Sequence, residues 1–424
     1  MPLPPNVVIL VPCLLGGGAE RAALRLAMQL STSYNVTICN LEDGVDYEVP
    51  PNIRRVVVTK LDGKAHPFWK ALFFPVQTLR VLFFARRMKT KVLIAFTERS
   101  CAVAIFARVF CPRTRFLLSY RNFQSHHLEK EDMNPFFKLI RNSFYRFVIR
   151  KSYGPGTEIV ALSEATRLDL IQTFGVPSAR ITTIYNEYDI EEICKTAQER
   201  LPGVIEPLFE GKILVTAGRL NKQKGHAYLI RVMQRVVQRD PKVQLVILGK
   251  GPLQAELMGL CETFGLSYGN MEDLVKGDYT RSIYFLGFQK NPYMYINRAK
   301  IFVFPSLWEG FGNALLEAMA CRSVVVAADC KCGPREILMP GSSPLLETEQ
   351  KIEGDYGVLL PSFTDLEYNH ERTEEVVNIW ASTITSFFAD SAKLDRYSIK
   401  SYERALHFGK DSSKGKWIQL TEKN

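Results

Sequence analysis

Residues 302–320 read FVFPSLWEGFGNALLEAMA. The apolar run that ends at Pro305 predicts a buried strand, the glycine-containing segment 306–312 predicts a loop, and residues 313–320 predict a helix that Asn313 caps. A strand, a loop and a helix start in this order present free backbone N–H groups and the positive end of the helix dipole, which together bind phosphate. This stretch therefore predicts a parallel-sheet unit with an anionic ligand at its turn.

Two carboxylates flank this turn, Glu309 in the loop and Glu317 in the helix. The residues around Glu317, 315–319, are otherwise apolar, so we expect its side chain to be buried. A buried carboxylate needs hydrogen-bond donors, and the hydroxyl groups of a ligand would supply them. The alternative is an ordinary structural unit of a parallel sheet without a ligand.

The composition is that of a globular protein with a basic bias. The chain has 424 residues, of which 46% are hydrophobic and 23% are charged, and its net charge is +10. This length predicts two domains, and the charge predicts an anionic partner: nucleic acid, a phosphate-bearing substrate or an acidic membrane surface. No nucleic-acid-binding module is recognisable, so we expect no nucleic-acid partner.

The cysteines and the apolar runs indicate the compartment. The nine cysteines have no framework spacing and no CxxC pair, which fits a reducing compartment such as the cytoplasm. The N-terminus lacks a charged region and a cleavage site, so we expect no signal peptide. No apolar run reaches the roughly 18 residues that a membrane-spanning helix needs.

The N-terminal half alternates short apolar runs with helical patterns. Residues 6–11 form a continuous apolar run, which is typical of a parallel strand covered on both faces. Gly16, Gly17 and Gly18 follow, and a helix is predicted over 19–30, so this turn is either a phosphate or ligand site or a plain tight turn. Further strands are predicted over 36–39, 55–58, 92–95, 116–119, 159–162 and 181–184.

Two segments of this half combine aromatic and basic residues. They are HPFWKALFFPVQTLRVLFFARRMKTK at 66–91, which Pro75 should interrupt, and PFFKLIRNSFYRFVIRK at 135–151. Such a composition suits a helix that lies in an anionic membrane interface. The alternative is that both helices face the core and expose their basic sides to water.

A second series of strands and helices follows an irregular, acidic segment at 187–211, which we interpret as a linker. Glycine-bounded loops follow two of its strands, the basic GRLNKQKG at 218–225 and GKGP at 249–252. Two doubly wound α/β domains, with ligand loops at their strand ends and a cleft between them, are the predicted architecture. The strands of this half are predicted over 212–217, 243–248, 283–286, 301–304, 324–327 and 357–360.

Five segments resemble, in the right order, the family-4 retaining glycosyltransferases of GT-B fold. They include the family's Glu-x7-Glu pattern as Glu309 and Glu317, and GPREIL at 333–338 resembles the subgroup that builds lipid-linked bacterial glycans. The five are GGGAER at 16–21, GRLNKQKG at 218–225, LGKGP at 248–252, LGFQKNPYMYI at 286–296 and FPSLWEGFGNALLEAMACRSVVVAADCKCGPREIL at 304–338.

The resemblance implies a division of labour between domains. The GT-B fold consists of two Rossmann-like domains that face a cleft. Residues 1–195 would bind the acceptor, and residues 196–390 would bind the nucleotide sugar. Residues 391–424 would form a helical segment that packs back on the N-terminal domain.

The resemblance also implies roles for single residues. Arg219 and Lys224 would meet the negative charge of the leaving diphosphate. Glu309 would hold hydroxyls of the donor sugar, and Glu317 would accept hydrogen bonds from the ribose. Phe288 would flank the base. The full set of donor-binding residues implied in this way is Gly16, Gly17, Gly18, Phe288, Gly310, Phe311, Gly312, Asn313, Ala314, Leu315 and Glu317.

The acceptor side matches the family more loosely. Many members place a histidine near the donor sugar, and here either His126 or His127 would fill that role, with His126 taken as the catalytic candidate. The alternative is an exposed polar loop. Four further residues are acceptor candidates, or else plain surface charges and loop residues: Glu20, Arg21, Arg121 and Asn122.

The chain contains no Asp-x-Asp motif, which metal-dependent relatives usually carry. We therefore expect no metal and no cofactor, with Arg219 and Lys224 acting in place of Mg²⁺. The resemblance implies retention of the anomeric configuration. Attack from the leaving-group face is favoured over a covalent intermediate, for which Glu309 would be the nucleophile.

These observations predict a peripheral membrane enzyme at the cytoplasmic face of the cell membrane. It would transfer a sugar from a nucleotide sugar, with UDP more consistent than GDP, to a polyprenyl-diphosphate-linked glycan. A nucleotide-sugar epimerase of the same fold and a non-catalytic assembly protein are the alternatives.

Overall fold

The structure is a computed structural model that describes residues 4–15, 17–129, 134–364, 366 and 371–423. Its internal contacts divide the chain into two units. The first unit is Met1–Glu187 with Asp411–Asn424, and the second is Tyr188–Lys410. These boundaries differ from the sequence-based ones at 195 and 390, because residues 190–197 and 391–406 pack on other helices of the second unit.

Both units alternate strands with helices. The strands of the first unit are β1 (Asn6–Val11), β2 (Asn35–Asn40), β3 (Arg54–Val57), β4 (Val92–Phe96), β5 (Arg115–Tyr120), β6 (Thr157–Ala161) and β7 (Ile181–Thr183). Those of the second unit are β8 (Lys212–Ala217), β9 (Val243–Leu248), β10 (Tyr268–Asn270), β11 (Ile283–Gly287), β12 (Ile301–Phe304), β13 (Val324–Ala328), β14 (Ile352–Glu353) and β15 (Val358–Leu360).

The helices cover both faces of the two sheets. In chain order they are α1 (Gly18–Leu30), α2 (Pro67–Leu72), α3 (Phe74–Arg87), α4 (Glu98–Arg108), α5 (Gln124–Glu129), α6 (Pro135–Lys151), α7 (Glu164–Gln172), α8 (Ile190–Ala197), α9 (His226–Arg239), α10 (Gln254–Thr263), α11 (Met271–Val275), α12 (Tyr293–Arg298), α13 (Asn313–Ala320), α14 (Pro334–Leu338), α15 (Glu371–Phe388), α16 (Ser391–Leu406) and α17 (Lys414–Glu422).

The sheet of the first unit is parallel throughout, in the order β3-β2-β1-β4-β5-β6-β7. Alternate residues of β1 enter different cores. Val7 and Ile9 share a core with α1 and with Trp417 of α17, whereas Val8 and Leu10 share a core with α3, α4 and α6 on the other face of the sheet. The continuous apolar run of this strand is thus explained by burial on both faces.

Among the described residues, the second sheet has the order β10-β11-β9-β8-β12-β13-β15-β14, in which β14 and β15 pair antiparallel and the other neighbours pair parallel. The largest fully buried side chain in the core of this unit is Trp380 of α15, whose Nε1 donates to the Pro361 carbonyl at 2.9 Å. The loops that follow β8, β9, β11, β12 and β13 gather at the carboxyl edge of this sheet, where doubly wound folds bind ligands.

The predicted strands of the first unit are found within two residues of their predicted ends. The break at Pro75 is also confirmed, since α2 ends at Leu72 and α3 begins at Phe74. The interpretation of 187–211 as an irregular linker is wrong. It contains α8, whose buried Ile190, Ile193 and Ala197 form an apolar stripe between acidic residues.

Within the residues that the structure describes, no helix is long and apolar enough to cross a bilayer.

Candidate active site

The loop after β8 folds onto the loop after β12. The Leu307 N–H donates to the Gln223 carbonyl at 2.8 Å, and Gln223 Nε2 donates to the Trp308 carbonyl at 3.0 Å. Gly225 has a left-handed φ of 65°, and a Cβ at this position would lie 2.0 Å from the Pro305 carbonyl oxygen. Only glycine permits this approach, so the two loops form one platform.

Two predicted catalytic residues meet on this platform. Nζ of Lys224 lies 2.5 Å from Oε1 of Glu309, and the side chains are 20% and 8% exposed. The same ammonium lies 5.5 Å from the centre of the Phe304 ring. Because little water reaches the pair, each charge depends on the other for stabilisation.

Arg219 begins the basic loop and is exposed. Its guanidinium makes no ion pair or hydrogen bond with any residue in the described ranges. Between it and Lys224 the backbone is held by Asn221, whose Oδ1 accepts from the Lys224 N–H at 3.3 Å. One cation of the predicted pair is therefore bound to a carboxylate, and the other is open to a ligand.

The start of α13 differs from the prediction. Gly312, with φ 105°, is the cap, and Asn313 is already helical, so the prediction that Asn313 caps the helix is wrong. The reason is that Oδ1 of Asn313 accepts the Tyr188 hydroxyl at 2.6 Å. The N–H groups of Gly312 and Ala314 reach no acceptor among the described residues, as expected at a helix start, and neither does that of Gly310 in the preceding loop.

Two further predicted ligands lie on α13. Glu317 is half-buried, so the expectation of a buried carboxylate is wrong. It lies one turn beyond Asn313 on the same face, while Leu315 and Leu316 face the core. The Leu315 N–H is already used by the Gly312 carbonyl at 3.1 Å.

The loop after β13 contacts the Glu309 loop, a contact that the sequence analysis did not predict. The Glu309 N–H points to the Lys331 carbonyl at 3.5 Å, and Sγ of Cys332 lies 2.9 Å from the Gly310 carbonyl oxygen. In the same segment, Arg335 forms a buried, bidentate ion pair with Asp329. Burial raises the pKa of the Asp329 carboxyl. Sequence spacing does not show the contacts of Glu309 and Gly310 with residues 331–332, because the two loops follow different strands.

Phe288, the predicted base-binding residue, is exposed, whereas Phe311 in the Glu309 loop is buried. Phe288 follows β11 directly and is 68% exposed. The Gly249 N–H donates to the Gly287 carbonyl at 2.8 Å, so the loops after β9 and β11 meet beside Phe288. Phe311 is instead buried, with its ring 5.5 Å from that of Phe408.

In the first unit, Gly17 caps α1 and Gly18 is the first helical residue, while Gly16 lies outside the described residues. A Cβ on Gly17 would lie 2.0 Å from Oε2 of Glu20, so this carboxylate covers the glycine turn. An anion that approached Gly17 would be repelled by the negative charge of the Glu20 carboxylate. Arg21 is exposed, with its guanidinium 5.6 Å from the centre of the Tyr47 ring.

Arg121 and Asn122, after β5, have internal partners. Arg121 is buried, with its guanidinium 5.1 Å from the centre of the Phe96 ring and hydrogen-bonded to Asn186. Asn122 donates through Nδ2 to Oε1 of Glu98 at 3.1 Å. Glu98 is a residue that sequence reasoning missed, since AFTERS reads as an ordinary strand end and helix start. His126 and His127 belong to α5, but their side chains lie outside the described residues.

The two halves of the chain match separate family models. Residues 16–192 match Glycosyltransferase Family 4, and residues 211–354 match Glycosyl transferases group 1. The N-acetylgalactosamine-N,N'-diacetylbacillosaminyl-diphospho-undecaprenol 4-alpha-N-acetylgalactosaminyltransferase of Campylobacter jejuni is 30% identical over 334 residues, which are 78% of this chain and 82% of that protein. The chain is a family 4 glycosyltransferase.

Other relatives agree with this assignment. An uncharacterized glycosyltransferase of Methanocaldococcus jannaschii is 26% identical to this glycosyltransferase over 358 residues, which are 82% of each chain. The matches support transfer of a sugar as the activity, rather than an epimerase or a non-catalytic assembly protein.

Solved structures confirm the GT-B fold. Anabaena HepE, in complex with UDP and glucose, superposes on this glycosyltransferase with a TM-score of 0.69 at 18% identity, with 98% of each chain covered. WaaG, a glycosyltransferase involved in lipopolysaccharide biosynthesis, has a TM-score of 0.68 at 13% identity and covers 99% of this chain and 100% of its own. At these identities the likeness concerns the fold alone.

Proposed function

We propose that this glycosyltransferase moves a hexose or N-acetylhexosamine from a UDP-sugar, with retention of configuration, to a sugar linked to polyprenyl diphosphate. The observation that carries the proposal is the Lys224–Glu309 pair, together with the exposed guanidinium of Arg219 in the same loop as Lys224. It places two cations and one carboxylate at the carboxyl edge of the second sheet, which is where a doubly wound fold binds a ligand.

The proposed chemistry follows from these charges. As the glycosidic bond of the donor breaks, negative charge grows on the leaving diphosphate, and fixed cations lower the energy of that state. Arg219 is available for the diphosphate directly. Lys224 approaches the diphosphate while it remains beside Glu309, so it also screens this carboxylate from the phosphate charge. Glu309 then accepts hydrogen bonds from hydroxyls of the donor sugar.

The acceptor proposal rests on the name of the Campylobacter relative and on one surface of the first unit. That relative transfers N-acetylgalactosamine to a sugar on diphospho-undecaprenol, as its name states. In this chain, segments 66–91 and 135–151 contain six and five basic residues and no acidic residue. Large apolar side chains are exposed on the same helices: Phe68, Trp69, Leu72, Leu79, Phe83, Phe136, Leu139, Ile140 and Phe147.

We call these nine residues, with the basic residues around them, the α2–α6 surface. The helices that carry it are joined by aromatic packing, since Phe74 of α3 and Phe144 of α6 both contact Phe106 of α4. Exposed apolar and cationic side chains together favour binding to an anionic membrane. The enzyme would thus lie at the cytoplasmic face of the cell membrane, where a lipid-linked acceptor is found.

Metal independence is part of the proposal. Arg219 and Lys224 supply the positive charge that a divalent ion would otherwise bring to the diphosphate. Transfer should therefore continue in EDTA. A requirement for Mg²⁺ or Mn²⁺ would contradict this part. Retention, which fits attack from the leaving-group face, is tested by the anomeric signal of the product in NMR spectra.

The main test is a panel of nucleotide sugars. One UDP-sugar should raise the melting temperature of the purified protein, since a ligand of the folded state stabilises it. The same donor should then be transferred to a polyprenyl-diphosphate-linked sugar. Stabilisation without transfer, together with an epimerised sugar in the donor-only reaction, would instead support an epimerase.

The ribose role of Glu317 has its own test. Glu317→Ala should weaken donor binding and leave the fold intact, because the side chain is half-buried on the outer face of α13. An unchanged donor affinity would remove Glu317 from the ribose site.

A further inference from the structure

The strand order of the first unit marks one place on its sheet for a ligand. The chain runs from β1 outward to β3, and it then returns to build β4 on the other side of β1. In open parallel sheets, ligands bind at such a switch point, outside the carboxyl ends of the two central strands. The residues that follow β4 are therefore the first place to look for an acceptor contact.

Thr97, the single residue between β4 and α4, has an unusual backbone. Its φ of 74° and ψ of 162° lie in a region that essentially only glycine adopts, and a β-branched residue is strained there. Its hydroxyl is shielded from solvent and has no partner in the described part of the chain. The backbone between β4 and α4 is therefore held in this conformation at a cost to the folded protein, directly before Glu98.

Glu98 follows Thr97 and is 8% exposed. Two amides hold one oxygen of its carboxylate: Oε1 accepts from Nδ2 of Asn122 at 3.1 Å and from Nε2 of Gln124 at 2.8 Å. The other oxygen, Oε2, has no partner among the described residues, and it is not one of the polar atoms sealed from solvent. An ionised carboxylate can accept about four hydrogen bonds, so Oε2 of Glu98 can accept further ones. The two bonds to Oε1 fix the direction in which Oε2 points.

The surroundings decide which chemistry suits this oxygen. Burial, followed by the negative charge of Glu98, raises the pKa of Tyr145 to about 12, so the phenol stays protonated. The nearby Arg99 is already bound to Glu42 and Gln77. A carboxylate that has no free cation beside it among the described residues repels phosphate and attracts neutral hydrogen-bond donors.

We propose that Glu98 binds a hydroxyl group of the acceptor sugar through Oε2. This inference rests on the proposed function, since it concerns the acceptor of that reaction. Glu98 acts here in binding, and no proton transfer is assigned to it. Asn122 and Gln124 are positioning residues that fix the orientation of the carboxylate.

The test compares kinetic constants in Glu98→Gln and Glu98→Asp. The substrates are the UDP-sugar identified by the panel and a polyprenyl-diphosphate-linked sugar. Loss of a hydrogen bond to a charged group should raise the KM for the acceptor about tenfold or more in Glu98→Gln. Glu98→Asp keeps the charge but shortens the side chain, so a smaller rise is expected. The KM for the donor and hydrolysis of the donor by water should stay within about twofold of wild type.

Glu164 provides the matched control, because it begins α7 after β6 as Glu98 begins α4 after β4. Glu164→Gln should leave both KM values unchanged. An acceptor KM within about twofold of wild type in both Glu98 variants would overturn the inference, as would an equal rise in the donor KM. If the wild-type enzyme itself fails to transfer to the lipid-linked sugar, the proposed function fails instead.

Discussion

Lys224 and Glu309 are 85 positions apart in the chain, yet their charged groups meet at 2.5 Å. The two side chains come from the loops after β8 and β12, which occupy adjacent strand ends in the sheet. The pair joins the residue expected to meet the donor diphosphate to the residue expected to hold the donor sugar. Both loops must therefore be in place before either residue can act.

The first prediction concerns the coupling of this pair. Lys224→Met and Glu309→Gln should each lower the free energy of unfolding by about 3 kcal/mol, because each leaves one buried group without its partner. The double variant should lose about 2 kcal/mol less than the sum of the single variants. Urea unfolding measures these energies, and all three variants should lack transfer activity. Additive losses would show that the pair is not coupled.

A second prediction concerns the contact between the same loops. Gly225→Ala places a Cβ 2.0 Å from the Pro305 carbonyl oxygen, so the loops must separate. We expect a loss of about 2–4 kcal/mol in unfolding free energy and a weaker response to the donor. Gly259 of α10 is the control: nothing lies within 4 Å of a Cβ there, and Gly259→Ala should stabilise by about 1 kcal/mol. Equal effects at both positions would contradict the close approach.

The third prediction concerns pH. His226, the first residue of α9, is buried, and burial followed by the charge of Lys224 lowers its pKa from 6.5 to about 3. Below pH 6.5, His226 is protonated in the unfolded chain but stays neutral in the folded protein until the pH approaches 3. The stability contributed by His226 is thus complete above pH 6.5 and is lost as the pH falls toward 3.

Between pH 6.5 and 5.0 this loss should approach about 2 kcal/mol in the wild type, and His226→Leu should not show it. Urea unfolding at the two pH values measures the difference. The exposed His407 is the control, and His407→Gln should follow the wild type. A pH slope in His226→Leu equal to that of the wild type would show that the histidine is not buried in its neutral form.

A fourth prediction tests the α2–α6 surface. Phe83 is 65% exposed on α3, and Phe83→Glu should reduce flotation with anionic vesicles about tenfold or more, because a charge replaces an apolar side chain at the interface. Ile399 is 53% exposed on α16 of the other unit, and Ile399→Glu should leave flotation unchanged. No flotation of the wild-type protein would remove the membrane from the proposed function.

Some of the site could be predicted because its signals are local. A continuous apolar run such as 6–11 identifies a strand buried on both faces, and the spacing of Glu309 and Glu317 identifies the family pattern. The cap of α13 could not be predicted in the same way. Asn313 has the right chemistry for a cap, but Tyr188 takes its side-chain oxygen, and Gly312 supplies the required backbone conformation.

The amino-acid order alone determined the alternation of strands and helices, the position of the glycine loops and the presence of the basic and acidic side chains at their ends. Only the tertiary structure decided which of these side chains meet. It joined Lys224 to Glu309, and within the described part of the chain it left the Arg219 guanidinium and one carboxylate oxygen of Glu98 without a partner. The physical reason is that the carboxyl ends of parallel strands become neighbours only after the sheet has formed. The local sequence therefore does not indicate the distance between side chains that follow different strands.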